Sequence, residues 1–133
     1  MIFSVDRDRS ALSRQQNARG HRFAQAPTSV VHGDFSEPLE LPPLDGVVMA
    51  NSLHFSEDKA PVLKLVHSYL KPGGRLIVVE YDVDKGNPWV PYPFSFSTWG
   101  RIAVETGFSK PDLIGRHESR WLKGLYSAVS TRQ

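Results

Sequence analysis

Four polar positions close or directly follow short apolar, β-branched runs. Asp6 follows Ile2–Val5, Asp34 follows Ser29–His32, Asn51 follows Leu44–Ala50, and Tyr81-Asp82 closes the run Arg75–Tyr81. Taken singly, each is an ordinary turn or helix-capping residue. Taken together they describe a rim, because in an open α/β sheet ligands bind beyond the carboxyl ends of the strands. Asp6 is placed to accept two adjacent ribose hydroxyls on one carboxylate. Such an aspartate serves nicotinamide and adenosyl ligands alike. Gly33-Asp34-Phe35 offers a closely approaching backbone, an acceptor for an exocyclic amine and an aromatic face, which suits an adenine ring. It equally describes a tight turn with Phe35 in the core. In Asn51-Ser52-Leu53-His54-Phe55, His54 has the side chain of a general base, with an unperturbed pKa near ~6.5. It also suits a hydrogen-bonded structural histidine. Asn51 can hold a ligand ammonium or bond its own loop backbone.

The elements that must position these residues are visible in the periodicity. Ile2–Val5, Ser29–His32, Leu44–Ala50 and Arg75–Tyr81 predict strands, the last being the strongest. The continuous run Leu76–Val79 fits a parallel strand covered on both faces. A helix is expected after Asp8 or Ser10, through about Arg19 and stopping at Gly20. A second is expected after Ser56, with Glu57 and Asp58 in its first turn and Val62, Leu63, Val66, Tyr69 and Leu70 on its buried face. Lys71-Pro72-Gly73-Gly74 predicts a stop and turn. A third helix is expected over Phe96–Thr106, ended by Gly107. Asp112–Gly115 and Leu125–Ser130 predict a final antiparallel pair. Strands alternating with helices give an α/β class with a mostly parallel sheet.

Composition narrows the function classes. A chain of 133 residues is expected to form a single domain, residues 1–133. Sixteen Lys and Arg against fourteen Asp and Glu leave +2, too small and diffuse a surplus for a nucleic-acid binder. The charge falls in blocks of +3 over residues 1–25, −4 over 26–100 and +3 over 101–133. Solvated faces account for such blocks, and an acidic middle also favours a cationic ligand. With no cysteine there is no disulfide scaffold, thiolate metal site or cysteine nucleophile. The histidines form no metal-binding spacing, so no metal is expected. No apolar run is long enough to span a bilayer, and the N-terminus lacks the apolar core of a signal peptide. A soluble cytoplasmic protein is the expectation.

The order VDRDRSAL, VVHGDF, LDGVVMANSLHF, LKPGGRLIVVEYD, and then GF…GLYSAVS resembles class I S-adenosylmethionine-dependent methyltransferases of the small-molecule type, over nearly the whole chain. The resemblance implies a Rossmann-like sheet with an antiparallel C-terminal strand. It implies S-adenosyl-L-methionine as cofactor and a small-molecule methyl acceptor. Asp6, with Arg7 beside it, would bind the ribose. Asp34 and Phe35 would bracket the adenine. Asn51, Ser52 and Leu53 would lie beside the methionyl part, with His54 and Tyr81 as candidate bases. Tyr81 and the Asn87–Pro93 loop would face the acceptor, although Trp89 and Tyr92 also read as residues that pack this loop. A nicotinamide oxidoreductase fits NSLHF and LKPGG less well.

The family opens with a strand, a GxGxG loop and a helix. Here the chain starts at what corresponds to the second strand, and no glycine falls in that pattern. Only glycine lets a backbone approach a cofactor so closely without steric cost. Weak or absent cofactor binding by this chain is therefore expected. So is a sheet left in two halves with open edges, either closed up, with the first strand beside LDGVVMA, or covered by a second copy as a homodimer. A misassigned start codon is a further expectation. A non-catalytic, dimeric binding module is the alternative to an enzyme.

Overall fold

The computed structural model describes residues 1–11, 13–14, 28–120, 122 and 124–133. The chain groups into two compact units, Met1–Glu40 and Leu41–Gln133. Of the helix expected after Asp8, only the opening turn lies within the described residues.

The first unit is built on two strands, β1 (Ile2–Asp6) and β2 (Thr28–His32). They pair in parallel from Ile2 with Thr28 to Asp6 with His32, so both carboxyl ends lie at one end of the ribbon.

The second unit contains β3 (Leu44–Ala50), a 3-10 turn (Leu53–Phe55), α1 (Ala60–Tyr69), β4 (Leu70–Tyr81), α2 (Phe96–Glu105), β5 (Asp112–His117) and β6 (Leu125–Thr131). Its sheet has the order β3-β4-β6-β5. β3 pairs with β4 in parallel, and β6 pairs antiparallel with both β4 and β5. β3, β4 and β5 thus run one way and β6 the other, which is the arrangement expected from the sequence.

β4 is an inner strand flanked by β3 and β6, with one face buried and Ile77 and Val79 on the other half-buried. Leu76 and Val78 are fully buried. Val62, Leu63 and Val66 of α1, Trp99 and Ala103 of α2, and Tyr126 and Ala128 of β6 complete the core with Phe94 and Phe108. No helix among the described residues is long and apolar enough to cross a membrane.

Three expectations are corrected. α1 begins at Ala60, not after Ser56. Ser56 closes the 3-10 turn in an extended conformation, and its N–H donates to Leu53 O. Glu57 and Asp58 precede the helix, where Asp58 Oδ1 accepts the Ala60 N–H at 3.1 Å. Second, α1 stops at Tyr69, just before Lys71–Gly74, but those four residues form no separate turn ahead of the strand. β4 continues through them, with Gly73 at a φ of 73° absorbing the irregularity. The register slips there, from Leu44 opposite Leu70 to Gly46 opposite Arg75. Third, Leu70, expected on the buried face of α1, is instead the first residue of β4. Among the described residues β3 is an edge strand of its sheet.

Candidate functional site

In the first unit, Asp6 and the Gly33-Asp34-Phe35 turn come together at the carboxyl ends of the two strands. The Gly33 N–H donates to Asp6 O at 3.1 Å. His32 Nε2 lies 2.9 Å from Arg7 O. Both aspartates also organise their own turns. Asp6 Oδ1 accepts the Asp8 N–H at 2.9 Å. Asp34 Oδ1 accepts the Ser36 hydroxyl at 2.7 Å and the Ser36 N–H at 2.9 Å. These bonds, with a smaller contribution from the Arg7 charge, hold the Asp34 carboxyl below the usual carboxylate range. A carboxylate offers about four acceptor sites, so neither turn uses up the group. Phe35 is half-buried.

In the second unit, the turn after β3 sits against the end of β4. Asn51 has a φ of 52°, a left-handed conformation that asparagine tolerates, and its N–H donates to Val79 O at 2.9 Å. Ser52 is half-buried, and Leu53 and His54 are buried. The His54 ring lies 4.3 Å from that of Phe55 and 6.1 Å from that of Tyr81, centroid to centroid. Tyr81 is half-buried.

Two further residues complete this cluster, and neither was selected from the sequence. Glu80 has no exposed surface, and its carboxylate meets the His54 ring and the loop backbone. Lys59 is also buried. Its ammonium donates to Ser56 O at 2.7 Å and to Tyr92 O at 3.0 Å, and lies 4.8 Å from the Phe94 ring centroid. Burial pushes the Lys59 pKa down, opposed by the Glu80 charge. The signal for Glu80 was its parity. It alternates with Leu76 and Val78, so a strand that buries those two buries the carboxylate as well.

The Asn87–Pro93 loop is tied to this cluster by the Tyr92 N–H, which donates to His54 O at 3.0 Å. Trp89 and Tyr92 do not pack the loop; they are 73% and 40% exposed. Val90, Pro93 and Phe94 pack it instead. Asp82 is committed to structure, accepting the Phe96 N–H at 2.9 Å and pairing with Arg116. A cleft of about 390 Å³ lies nearby, lined by Asp58, Lys59, Tyr92, Phe94, Arg101 and Glu105 among others; none of the strand-end residues lines it. Among the described residues no group of three His, Asp or Glu side chains is arranged to hold a metal ion.

No curated protein matches the sequence. Solved structures do match in fold. A SAM-dependent methyltransferase from Methanosarcina mazei is 16% identical with a TM-score of 0.74, covering 98% of this chain and 81% of its own. Magnesium protoporphyrin IX methyltransferase from Synechocystis, with bound SAH, is 16% identical with a TM-score of 0.77, covering 100% and 64%. The 1,6-didemethyltoxoflavin N1-methyltransferase of Burkholderia thailandensis, with bound 1,6-didemethyltoxoflavin and S-adenosylhomocysteine, is 19% identical with a TM-score of 0.74, covering 98% and 60%. The chain therefore spans most of the first but under two thirds of the other two. The shared fold is the Rossmann-like, mostly parallel α/β arrangement. The family model described as a methyltransferase domain matches residues 1–78, more than half of the sequence. The chain belongs to that methyltransferase domain family.

Proposed function

We propose that the chain is an S-adenosylmethionine-dependent methyltransferase acting on a small-molecule acceptor. The observation that carries this is the family match over residues 1–78, the stretch that holds Asp6, Asp34, Asn51 and His54. Two of the structurally similar proteins hold S-adenosylhomocysteine, one of them beside a small heterocyclic molecule.

The residues present fit an adenosyl ligand. Asp6 offers a carboxylate with acceptor capacity beyond its turn, and Arg7 stands beside it to bind in the same region. Asp34 would accept from an exocyclic amine while Phe35 would supply a ring face. By the family resemblance Asn51, Ser52 and Leu53 of the second unit would hold the methionyl part, and Tyr81 would face the acceptor. The bound cofactor supplies a methyl group already activated on a sulfonium. What remains for the protein is chiefly to align acceptor and methyl for in-line displacement, a positioning task.

Calorimetry with S-adenosylhomocysteine tests this. A hydrogen bond to a charged group is worth about 1.5–3 kcal/mol, so Asp6→Ala should weaken binding roughly tenfold or more. Because no glycine of the sequence falls in a GxGxG pattern, the wild-type affinity is expected to be weak; equal affinity of wild type and Asp6→Ala, or no wild-type binding at any accessible cofactor concentration, would refute the reading.

A second reading rests on β3, an edge strand of the second unit's sheet among the described residues. Val48 in this strand is 65% exposed, and Asp45 is its only charge. Such an edge pairs readily with another strand, so a homodimer formed through β3 would make the chain a dimeric binding module. Light scattering showing a stable monomer at micromolar concentration would rule it out.

A further inference from the structure

Among the described residues Glu80 is the one fully buried carboxylate, and its two oxygens have separate tasks. Oε1 accepts the N–H groups of Leu53 and His54, at 2.9 and 3.3 Å. Oε2 lies 2.7 Å from His54 Nδ1. With Oε1 taken up by two N–H donors and Oε2 as acceptor toward the ring, Nδ1 carries the ring hydrogen and donates it. Nε2, across the ring, is then the nitrogen with the lone pair. Which ring nitrogen is the base is set by the bond the other one makes.

This carboxylate-oriented imidazole lies at the carboxyl ends of β3 and β4, between Phe55, which is 56% exposed, and Tyr81. Glu80 also fixes the backbone carrying the ring. The imidazole is held both in tautomer and in place, as a general base needs to be.

We propose that His54 Nε2 is the proton acceptor of the reaction and Glu80 its positioning residue, so that the methyl acceptor is an X–H acid, one that gives up a proton on methylation, with an O–H group as the simplest case. The inference rests on the methyl-transfer reading above. Methylation of an acceptor X–H forms an X–C bond as the donor's C–S bond breaks, and the sulfur departs as a neutral thioether. One proton is left over. Nε2 takes it from X and later releases it to water. An acceptor without such a proton, a thioether or tertiary amine, would have no use for this pair.

Nuclear magnetic resonance of the 133-residue chain with isotope-labelled histidine tests the proposal, using para-nitrophenol as the O–H probe. The expected result is a His54 with protonated Nδ1 and unprotonated Nε2, whose Nε2 signal moves saturably toward the protonated value as the phenol is added. A histidine that is merely structural keeps its Nε2 signal unmoved. In Glu80→Gln the amide can donate to Nδ1 and place the hydrogen on Nε2, so the response to the phenol is lost while the backbone spectrum stays dispersed. An Nε2–H tautomer in the wild type, or an Nε2 signal blind to the phenol, overturns the proposal. If Glu80→Gln does not fold, the wild-type titration decides. Calorimetry with S-adenosylhomocysteine on the same sample separates the two readings. Cofactor binding with a silent Nε2 refutes only the base, whereas an Nε2 response without cofactor binding refutes methyl transfer.

Discussion

Asp84 holds Ser95 by two bonds, accepting its N–H on Oδ1 at 2.9 Å and its hydroxyl on Oδ2 at 3.1 Å. Ser95 is the residue that caps α2, so this contact fixes where the helix starts relative to the end of β4. The bonds, led by the one from the Ser95 backbone, hold the Asp84 carboxyl below its ordinary value of 3.8. A carboxyl lowered by folding stabilises the fold above its unfolded value. That contribution is lost as the pH falls through the lower, folded value. Asp84→Asn should therefore be less stable than wild type near neutrality, and the two should converge in acid. Urea unfolding midpoints across the acid range check this; parallel curves would contradict it.

The cap itself makes the second prediction. Ser95 Oγ accepts the Thr98 N–H at 3.2 Å. Removing such a cap costs about 1 kcal/mol, so Ser95→Ala should lower the thermal midpoint. Ser95→Asn should recover most of the loss. Ser95→Asp, usually as good a cap, should recover less, because its charge would face Asp84. Thermal melts of the three variants give the order.

The third prediction concerns Glu80 as a structural acceptor. Glu80→Leu keeps the apolar packing of β4 but leaves the buried N–H groups of Leu53 and His54 without their acceptor. Each such loss costs about 1–3 kcal/mol, so the variant should be destabilised by about 2–6 kcal/mol in chemical denaturation. Glu80→Gln retains an amide oxygen for these donors and should lose far less. Equal losses would show that the charge, and not the acceptor, matters.

These contacts also explain which parts of the structure could be read from the sequence. The helix α2, the inner strand β4 and the β5–β6 pair follow from local signals: a glycine stop, a continuous apolar run and a short polar connection. The start of α1 did not, because Leu53–Phe55 is held as a 3-10 turn by a carboxylate 27 residues away. That turn takes up Ser56, the residue expected to cap the helix. No local signal marks Lys59, because its burial depends on the Tyr92 carbonyl 33 residues further on. Asp82 stood among the rim residues until the Phe96 N–H and Arg116 claimed it. Asp6 and Asp34 lie at strand ends as expected, and their local turns leave a ligand role open. The site was legible where one residue type at a strand end sufficed, and hidden where a partner distant in sequence decided the role.

The last prediction concerns Gly107, where backbone and packing constraints coincide. Its φ is 93°, and an added Cβ would meet His67 Nε2 at 3.0 Å and Cδ2 at 3.1 Å. Left-handed backbone costs an L-residue about 1–2 kcal/mol, so Gly107→Ala is destabilising whatever surrounds it. The contact with His67 adds to this, because the ring has little freedom to retreat. It packs edge-on against Phe108, and its Nε2 lies 3.2 Å from Gln133 O. A double-mutant cycle separates the two costs. His67→Ala removes the clash and leaves the backbone strain untouched. Non-additivity of about 0.5 kcal/mol or more in favour of the double variant would assign that part to the ring contact. Additive losses would assign the whole cost to the backbone. Urea denaturation of wild type, the two single variants and the double variant closes the cycle.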